Sequence, residues 1–421
     1  MKSLFNRIAN NPFLRNVTTL ALGTVISQSI VLAGSPLLSR LFSVEDFGML
    51  SVFTSVSLFF AVLSTGRYEF ALGLPEQNEK ARHIFSLIVK IGFIVSLSYL
   101  LIIFLLKSVF KFEDNAGFLK EGTSFFAPLY IFFIAVYSGL QYWFQRFKKY
   151  KEITLANAIQ VVSTVIMSLL FGLLHIESGM IFALIIGIII SSIFLLLREP
   201  KIINKDFFKF PSLVVAKEYS SFPRYMILSD LSLTASQQFI PIVFSILYNT
   251  TIVGFFAMAN RMLRLPNIVI TSSIANVFRN DAIDEFREKG NCRELYILTF
   301  KKLVMISFPI YTVIFIISPF AFEWFFGKQW LQAGYFSRIL SVLLMVEFVV
   351  SPLNSIFYIV EKQKLLMKIQ VLVAIGGLIM IYLGYIIFKS PYYSLIFFCI
   401  NSLFFNMIFL YYSYNFSKKR L

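Results

Sequence analysis

The sequence predicts an all-α fold: a polytopic membrane protein with about 12 transmembrane helices in two six-helix bundles around a central cavity. Three observations predict it. Of the 421 residues, 58% are hydrophobic and 14% are charged, and the mean hydropathy is +0.77. An ordinary soluble domain is nearer half apolar and a quarter charged. Apolar stretches recur along the whole chain; twelve spans of about 20 residues would use roughly 240 residues, leaving little for any domain outside the membrane. Lys and Arg crowd into every second polar break, as the two sides of a membrane require.

The elements follow in order. The basic tail Met1 to Asn16 runs into a span at 17–37 without a small-residue cleavage site, so it reads as an uncleaved first span. Spans two to six are expected at 47–67, 84–106, 123–145, 153–174 and 179–197. The longest polar break, 198–224, follows. It carries Lys201, Lys205, Lys209 and Lys217 with Phe207, Phe208 and Phe210 among them, which reads as an amphipathic linker on an anionic leaflet. Spans seven to twelve are expected at 225–248, 252–278, 303–322, 335–360, 365–388 and 392–414. The domains are therefore an N-terminal bundle over 1–200, a cytoplasmic linker over 201–223 and a C-terminal bundle over 224–421.

Charge tests the order. With the N-terminus inside, 28 of the 38 Lys and Arg fall in inside segments, 6 in outside segments and 4 within spans. An odd number of spans would scramble this asymmetry, so both termini are expected in the cytoplasm. The same bias accounts for the net charge of +16, which in a soluble protein would point to nucleic acid. No nucleic-acid partner is expected. Tyr142 and Trp143 at an inside boundary, and Trp324 and Trp330 at an outside one, fit the aromatic belts.

A faint internal repeat supports two halves. Leu41 to Gly48 joins spans one and two; Leu247 to Gly254 joins spans seven and eight at an offset of 206. Gln141 to Lys151 is echoed by Asn354 to Lys364 at an offset of 213. Two parallel six-helix halves are a known transporter plan, with the substrate site at their interface.

Charged groups inside spans are costly and mark function or pairing. Arg261 and Arg264 lie in Ala257 to Pro266 of span eight. Arg261 is about nine residues in, roughly 14 Å deep, and the i,i+3 spacing puts both guanidiniums on one face. With Asn260 they form a cationic patch suited to phosphate oxygens; the alternative is that each pairs with an acid of another helix. Arg67, with Glu69, ends span two, where it either lines a cavity or is a boundary charge. Glu347, in the middle of span ten, either pairs with Arg261 or Arg264 or carries a coupling proton. Asp230 in span seven is a second candidate for ion coupling, or a polar residue near water. Span one carries Thr24, Ser27, Gln28, Ser29 and Ser35, and span seven carries Ser232, Thr234, Ser236, Gln237 and Gln238. Such hydroxyl- and amide-rich helices suit either helix–helix bonding or a sugar-bearing headgroup, with Gln28 and Gln237 as the candidate contacts.

The chain carries no GxxxxGK[ST], GxSxG or HExxH motif, so no enzyme, no catalytic residue and no cofactor are expected. Two cysteines and two histidines at unrelated spacings indicate neither a disulfide framework nor a metal site. Transport energy would come from an ion gradient, substrate exchange or the membrane potential.

The segment Leu38-Ser39-Arg40-Leu41-Phe42-Ser43-Val44-Glu45-Asp46-Phe47-Gly48, running to Gly66-Arg67, resembles the polysaccharide transporter family. This is the O-antigen flippase (Wzx-type) branch of the multidrug/oligosaccharidyl-lipid/polysaccharide exporter superfamily. Gln141 to Tyr150 followed by Asn157, and Ala259 to Pro266, are similar to that family's fourth-to-fifth and eighth spans. The resemblance implies alternating access between two six-helix bundles in the bacterial plasma membrane. It implies an undecaprenyl-pyrophosphate-linked oligosaccharide as cargo, met by Arg67, Arg261 and Arg264. The partners implied are that lipid-linked oligosaccharide, membrane lipids, and a polysaccharide polymerase with chain-length proteins. The lipid II branch usually has two further spans. Alternatives are a multidrug/cation antiporter of the same fold, which needs a net acidic cavity; a polysaccharide polymerase or ligase, which needs a large outside loop; and a sugar symporter of the major facilitator type, whose Gly/Asp/Arg signature is missing from 67–83.

Overall fold

The structure, a computed structural model, describes residues 12–108, 122–203, 207 and 212–418. The described residues are helical almost throughout and contain no strand. Nine helical stretches among them are long and apolar enough to cross a membrane, and the protein is a multi-pass membrane protein. The chain divides into two compact units, Met1–Thr234 and Ala235–Leu421.

The first unit contains α1 (Pro12–Leu41), α2 (Val44–Ser64), α3 (Asn78–Ser108), α4 (Ala127–Arg146), α5 (Tyr150–Leu173), α6 (Gly179–Arg198) and the short α7 (Ser212–Glu218). The next helix, α8 (Ser221–Leu247), contains the point of division. The second unit continues with α9 (Thr250–Pro266), a π-turn (Asn267–Thr271), α10 (Ser272–Lys289), α11 (Arg293–Phe326), α12 (Leu331–Leu353), α13 (Ser355–Ile359), α14 (Gln363–Phe388) and α15 (Pro391–Lys418). Each expected span falls on helix. The short or interrupted ones are those that carry the polar candidates. The helix α8 contains Pro241, and α9 has 17 residues.

In each unit the fourth span is the hub. Helix α4 packs against α2, α3 and α6, and α12 packs against α9, α10, α11 and α15. Close approach is bought by small residues at two crossings: a Cβ on Gly187 would lie 2.9 Å from the Gln160 carbonyl oxygen, and one on Gly334 would lie 2.5 Å from Pro319 Cα. Large side chains fill the remaining space, with Phe53, Phe85 and Phe144 fully buried in the first unit and Trp330, Phe336 and Phe348 in the second.

The repeat expected from the sequence is visible in the backbone. Ser43 caps α2 through a capping box with Asp46, its hydroxyl accepting from the Asp46 N–H at 3.2 Å. At the offset of 206, Asn249 caps α9 by accepting from the Ile252 N–H at 3.0 Å. Each side chain satisfies an N–H that the first helical turn leaves without a partner. At the offset of 213, Lys148 and Glu361 both adopt left-handed backbone, φ 55° and 58°, immediately before α5 and α14. That conformation is uncommon outside glycine, and its recurrence at matched positions marks a duplicated turn.

Two departures from the expected spans have physical causes. Span eight, expected as one helix over 252–278, is broken after Pro266. There the Asn267 N–H bonds back to the Arg264 carbonyl rather than to Leu263, and Tyr311 donates its hydroxyl to the Leu263 carbonyl at 3.3 Å and to Asn267 Oδ1 at 2.6 Å. The helix then continues to Lys289 as α10, a surface helix that buries Phe278, Ala282 and Phe286 at i, i+4, i+8. In the linker, Phe207 is buried and its ring lies 5.8 Å from that of Phe85. Helix α7 packs on α3, where Tyr68 donates to the Ala216 carbonyl at 3.0 Å. Phe208 and Phe210 lie outside the described residues.

Arg338 in α12 has a structural partner. Pro319 in α11 has no N–H, so the Phe315 carbonyl one turn earlier lacks its helical donor. Arg338 Nε donates to that carbonyl at 2.9 Å and Nη2 to the next, Ile316, at 3.3 Å, with the guanidinium over the Phe315 and Tyr335 rings.

Candidate substrate site

The structure sorts the eight candidate residues into two clusters, one in each unit, and leaves two residues apart. In the first unit Arg67 follows α2 in left-handed backbone, φ 60°, ψ 16°. This conformation turns the chain sharply into the 3₁₀ helix Tyr68–Gly73 and brings Glu69 back beside it. Arg67 Nη1 donates to Glu69 Oε1 at 3.1 Å. Its Nε lies 2.8 Å from Asp230 Oδ2 on α8, a close ion pair without hydrogen-bond alignment, since that Nε has no aligned acceptor among the described residues. The Glu69 side chain is 1% exposed and its second oxygen has no hydrogen-bond partner among the described residues. One guanidinium thus stands between two carboxylates, and the formal local charge is −1.

In the second unit the α9 face carries Asn260 and Arg264 at i,i+4. Arg264 Nε donates to Asn260 Oδ1 at 2.8 Å, and Nη1 donates to Glu347 Oε2 at 3.2 Å. Of the two acid roles left open for Glu347, pairing with Arg264 is the one the geometry displays. These residues line a cavity of about 330 Å³ together with Gln237 of α8, Ser351 and Asn354 of α12, Gln370 of α14, and Ser402 and Asn406 of α15. Aromatic walls come from Phe239, Phe256, Phe398 and Phe409.

Arg261 does not line this cavity. It is exposed, one turn before Arg264, and it makes no ion pair with any described acid. Counted from the first residue of α9 it lies about 16 Å along the helix. Gln28 sits half-buried on α1 and belongs to neither cluster.

Several lining residues were not singled out from the sequence. Glu347, Ser351 and Asn354 follow an i, i+4, i+7 stripe on α12, and Ser402 and Asn406 are i,i+4 on α15. Helical periodicity places such residues on one face, so polar stripes within apolar spans were the available signal. The pairing of Arg67 with Asp230 carried no signal, because the two are far apart in the chain.

Residues 37–334 match the family described as polysaccharide biosynthesis protein. No curated protein matches the chain at the sequence level. Among solved structures, the chain resembles the lipid II flippase MurJ in an inward closed conformation, with 14% identity and a TM-score of 0.72 over 93% of this chain and 87% of that one. It also resembles an inward-facing multidrug resistance MATE transporter of the MOP superfamily, with 13% identity and a TM-score of 0.72 over 92% and 93%. A MOP superfamily transporter from Pyrococcus furiosus gives 14% identity and a TM-score of 0.60 over 96% and 95%. At these identities the likeness concerns the fold, which is that of a polytopic transporter.

Proposed function

The chain belongs to the polysaccharide biosynthesis protein family, and on that premise we propose that it is a flippase. Its cargo is an undecaprenyl-pyrophosphate-linked oligosaccharide, an O-antigen or related surface-polysaccharide repeat unit. It moves from the inner to the outer leaflet of a bacterial plasma membrane by alternating access, with both termini in the cytoplasm. The observation that carries this reading is Arg261: an exposed guanidinium without an acid partner among the described residues, one turn from a paired arginine that faces a polar cavity. A cation at such a position requires water or an anionic ligand, and a diphosphate is matched by guanidinium geometry. An ion pair near 4 Å at an effective dielectric of 20 contributes about 4 kcal/mol before desolvation.

In this reading Arg67, Asn260, Arg261, Arg264, Gln28 and Gln237 contact the headgroup at different stages. Asp230 and Glu347 serve as coupling groups. A phosphate that competes for Arg67 or Arg264 displaces a carboxylate, which is then left to pair with a coupling cation. That exchange links cargo movement to an ion gradient without nucleotide hydrolysis. The antiporter alternative requires an acid free to hold a cationic drug, whereas the acid in the described cavity, Glu347, is held by Arg264.

The test is the Arg261→Ala variant in a strain lacking the chromosomal copy. Surface polysaccharide should disappear while the protein stays in the membrane and lipid-linked repeat units accumulate. Normal surface polysaccharide would overturn the assigned role, and single repeat units exposed outside would instead indicate a polymerase.

A further inference from the structure

We propose that the cavity of the C-terminal unit is a neutral-sugar subsite, distinct in chemistry from the pyrophosphate contact at Arg261; this rests on the flippase reading and specifies which part of the cargo goes where. The charge of the cavity supports it first. Arg264 and Glu347 are the charged residues of its lining, and they are paired at 3.2 Å. The lining is therefore formally neutral, and an anion gains Arg264 only by displacing Glu347.

Its hydrogen-bonding capacity is large by contrast. Gln237, Ser351, Asn354 and Gln370 line the cavity, and among the described residues their side chains make no hydrogen bond. The Asn354 Oδ1 is buried without a hydrogen-bond partner among the described residues, which is costly unless a ligand or water satisfies it. Gln237 and Ser351 are exposed, so their polar groups are open to a ligand. An amide presents both donors and acceptors, which is what a sugar hydroxyl, itself donor and acceptor, requires. Phe256 and Phe398 supply apolar walls for the C–H faces of a pyranose ring.

Size narrows the ligand. The cavity volume of about 330 Å³ lies at the small end of ligand sites, roughly 300–1,000 Å³. One or two sugar rings fill it. The subsite would thus read the identity of a sugar while Arg261 holds the charge.

Binding to the full-length purified protein tests the division. The probes are the repeat-unit oligosaccharide cleaved from its lipid and phosphate, and inorganic pyrophosphate. Wild type should bind both. The double variant Gln370→Met/Asn354→Leu keeps side-chain size and orphans no partner; it should lose oligosaccharide affinity at least tenfold and keep pyrophosphate affinity. Arg261→Ala should show the reverse. Unchanged oligosaccharide binding in the double variant, absence of binding in wild type, or loss of pyrophosphate instead would each overturn the subsite. If the double variant does not reach the membrane, Gln370→Glu alone replaces it, with the same outcomes required. Failure of the flippase reading shows separately, as normal surface polysaccharide in the deletion strain.

Discussion

Arg67 and Arg264 are held by the same chemistry in opposite proportions. Arg67 stands between two carboxylates, Glu69 and Asp230, one of them fully buried. Arg264 has one carboxylate and one amide, Glu347 and Asn260, and an unpaired arginine one turn away. The N-terminal cluster therefore carries an excess of negative charge, whereas the C-terminal cluster is neutral and has a surplus cation, Arg261, one turn away. An excess carboxylate is a place to take up a cation; an excess guanidinium is a place to take up an anion. The comparison teaches that two arginine–carboxylate sites built from the same groups differ in the charge each has to spare.

The largest effect that could break this contrast is loss of Arg261. Alanine there removes the surplus cation, and surface polysaccharide should fall to background with protein abundance unchanged, as read by glycan staining and immunoblotting. Next comes Glu347→Gln. It leaves Arg264 unpaired; because the two side chains are 42% and 27% exposed, the cost should be about 1–2 kcal/mol, well below that of a fully buried pair. A lowered melting temperature in detergent, partly restored by Arg264→Gln, is the expected result. Smaller again are Glu69→Gln and Asp230→Asn taken singly, since Arg67 keeps one carboxylate in each. Each should slow export several-fold, about 1 kcal/mol. The double variant should cost more than the two added together, because the groups share one partner. Additive effects would mean that Arg67 does not join them.

The smallest effects test whether the two halves are equivalent in folding as well as in layout. Ser43→Ala and Asn249→Ala each remove an N-cap and should each cost about 1 kcal/mol, measured as matched shifts in melting temperature. A large shift in one alone would show that the duplicated turn has diverged in importance.

Much of the fold was legible in the sequence because one physical quantity governs it. Bilayer thickness sets the length of each apolar run, so the spans could be placed from hydropathy. What departed did so where local chemistry outweighs hydropathy. Pro266 opened a π-turn within span eight, and the charged continuation into α10 could not be told from a loop. The candidate site was legible in part. Gln237, Asn260, Arg264 and Glu347 do converge, because intramembrane polar residues are rare enough to single out. Ser351, Asn354, Gln370 and Asn406 were passed over because serine and amides are common in spans, and only their shared face sets them apart. The pairing of Arg67 with Asp230 depends on how α8 lies against the turn after α2, which one sequence does not encode in any local pattern.

The proline at 319 and the arginine at 338 form one further unit of inheritance. A helix that has lost an N–H at one position has borrowed two from a side chain on its neighbour, so neither residue is free to vary alone. Replacing Arg338 with leucine should harm the protein, and restoring a main-chain donor with Pro319→Ala should act as a suppressor. A genetic screen for revertants would then find the second change without any knowledge of the first.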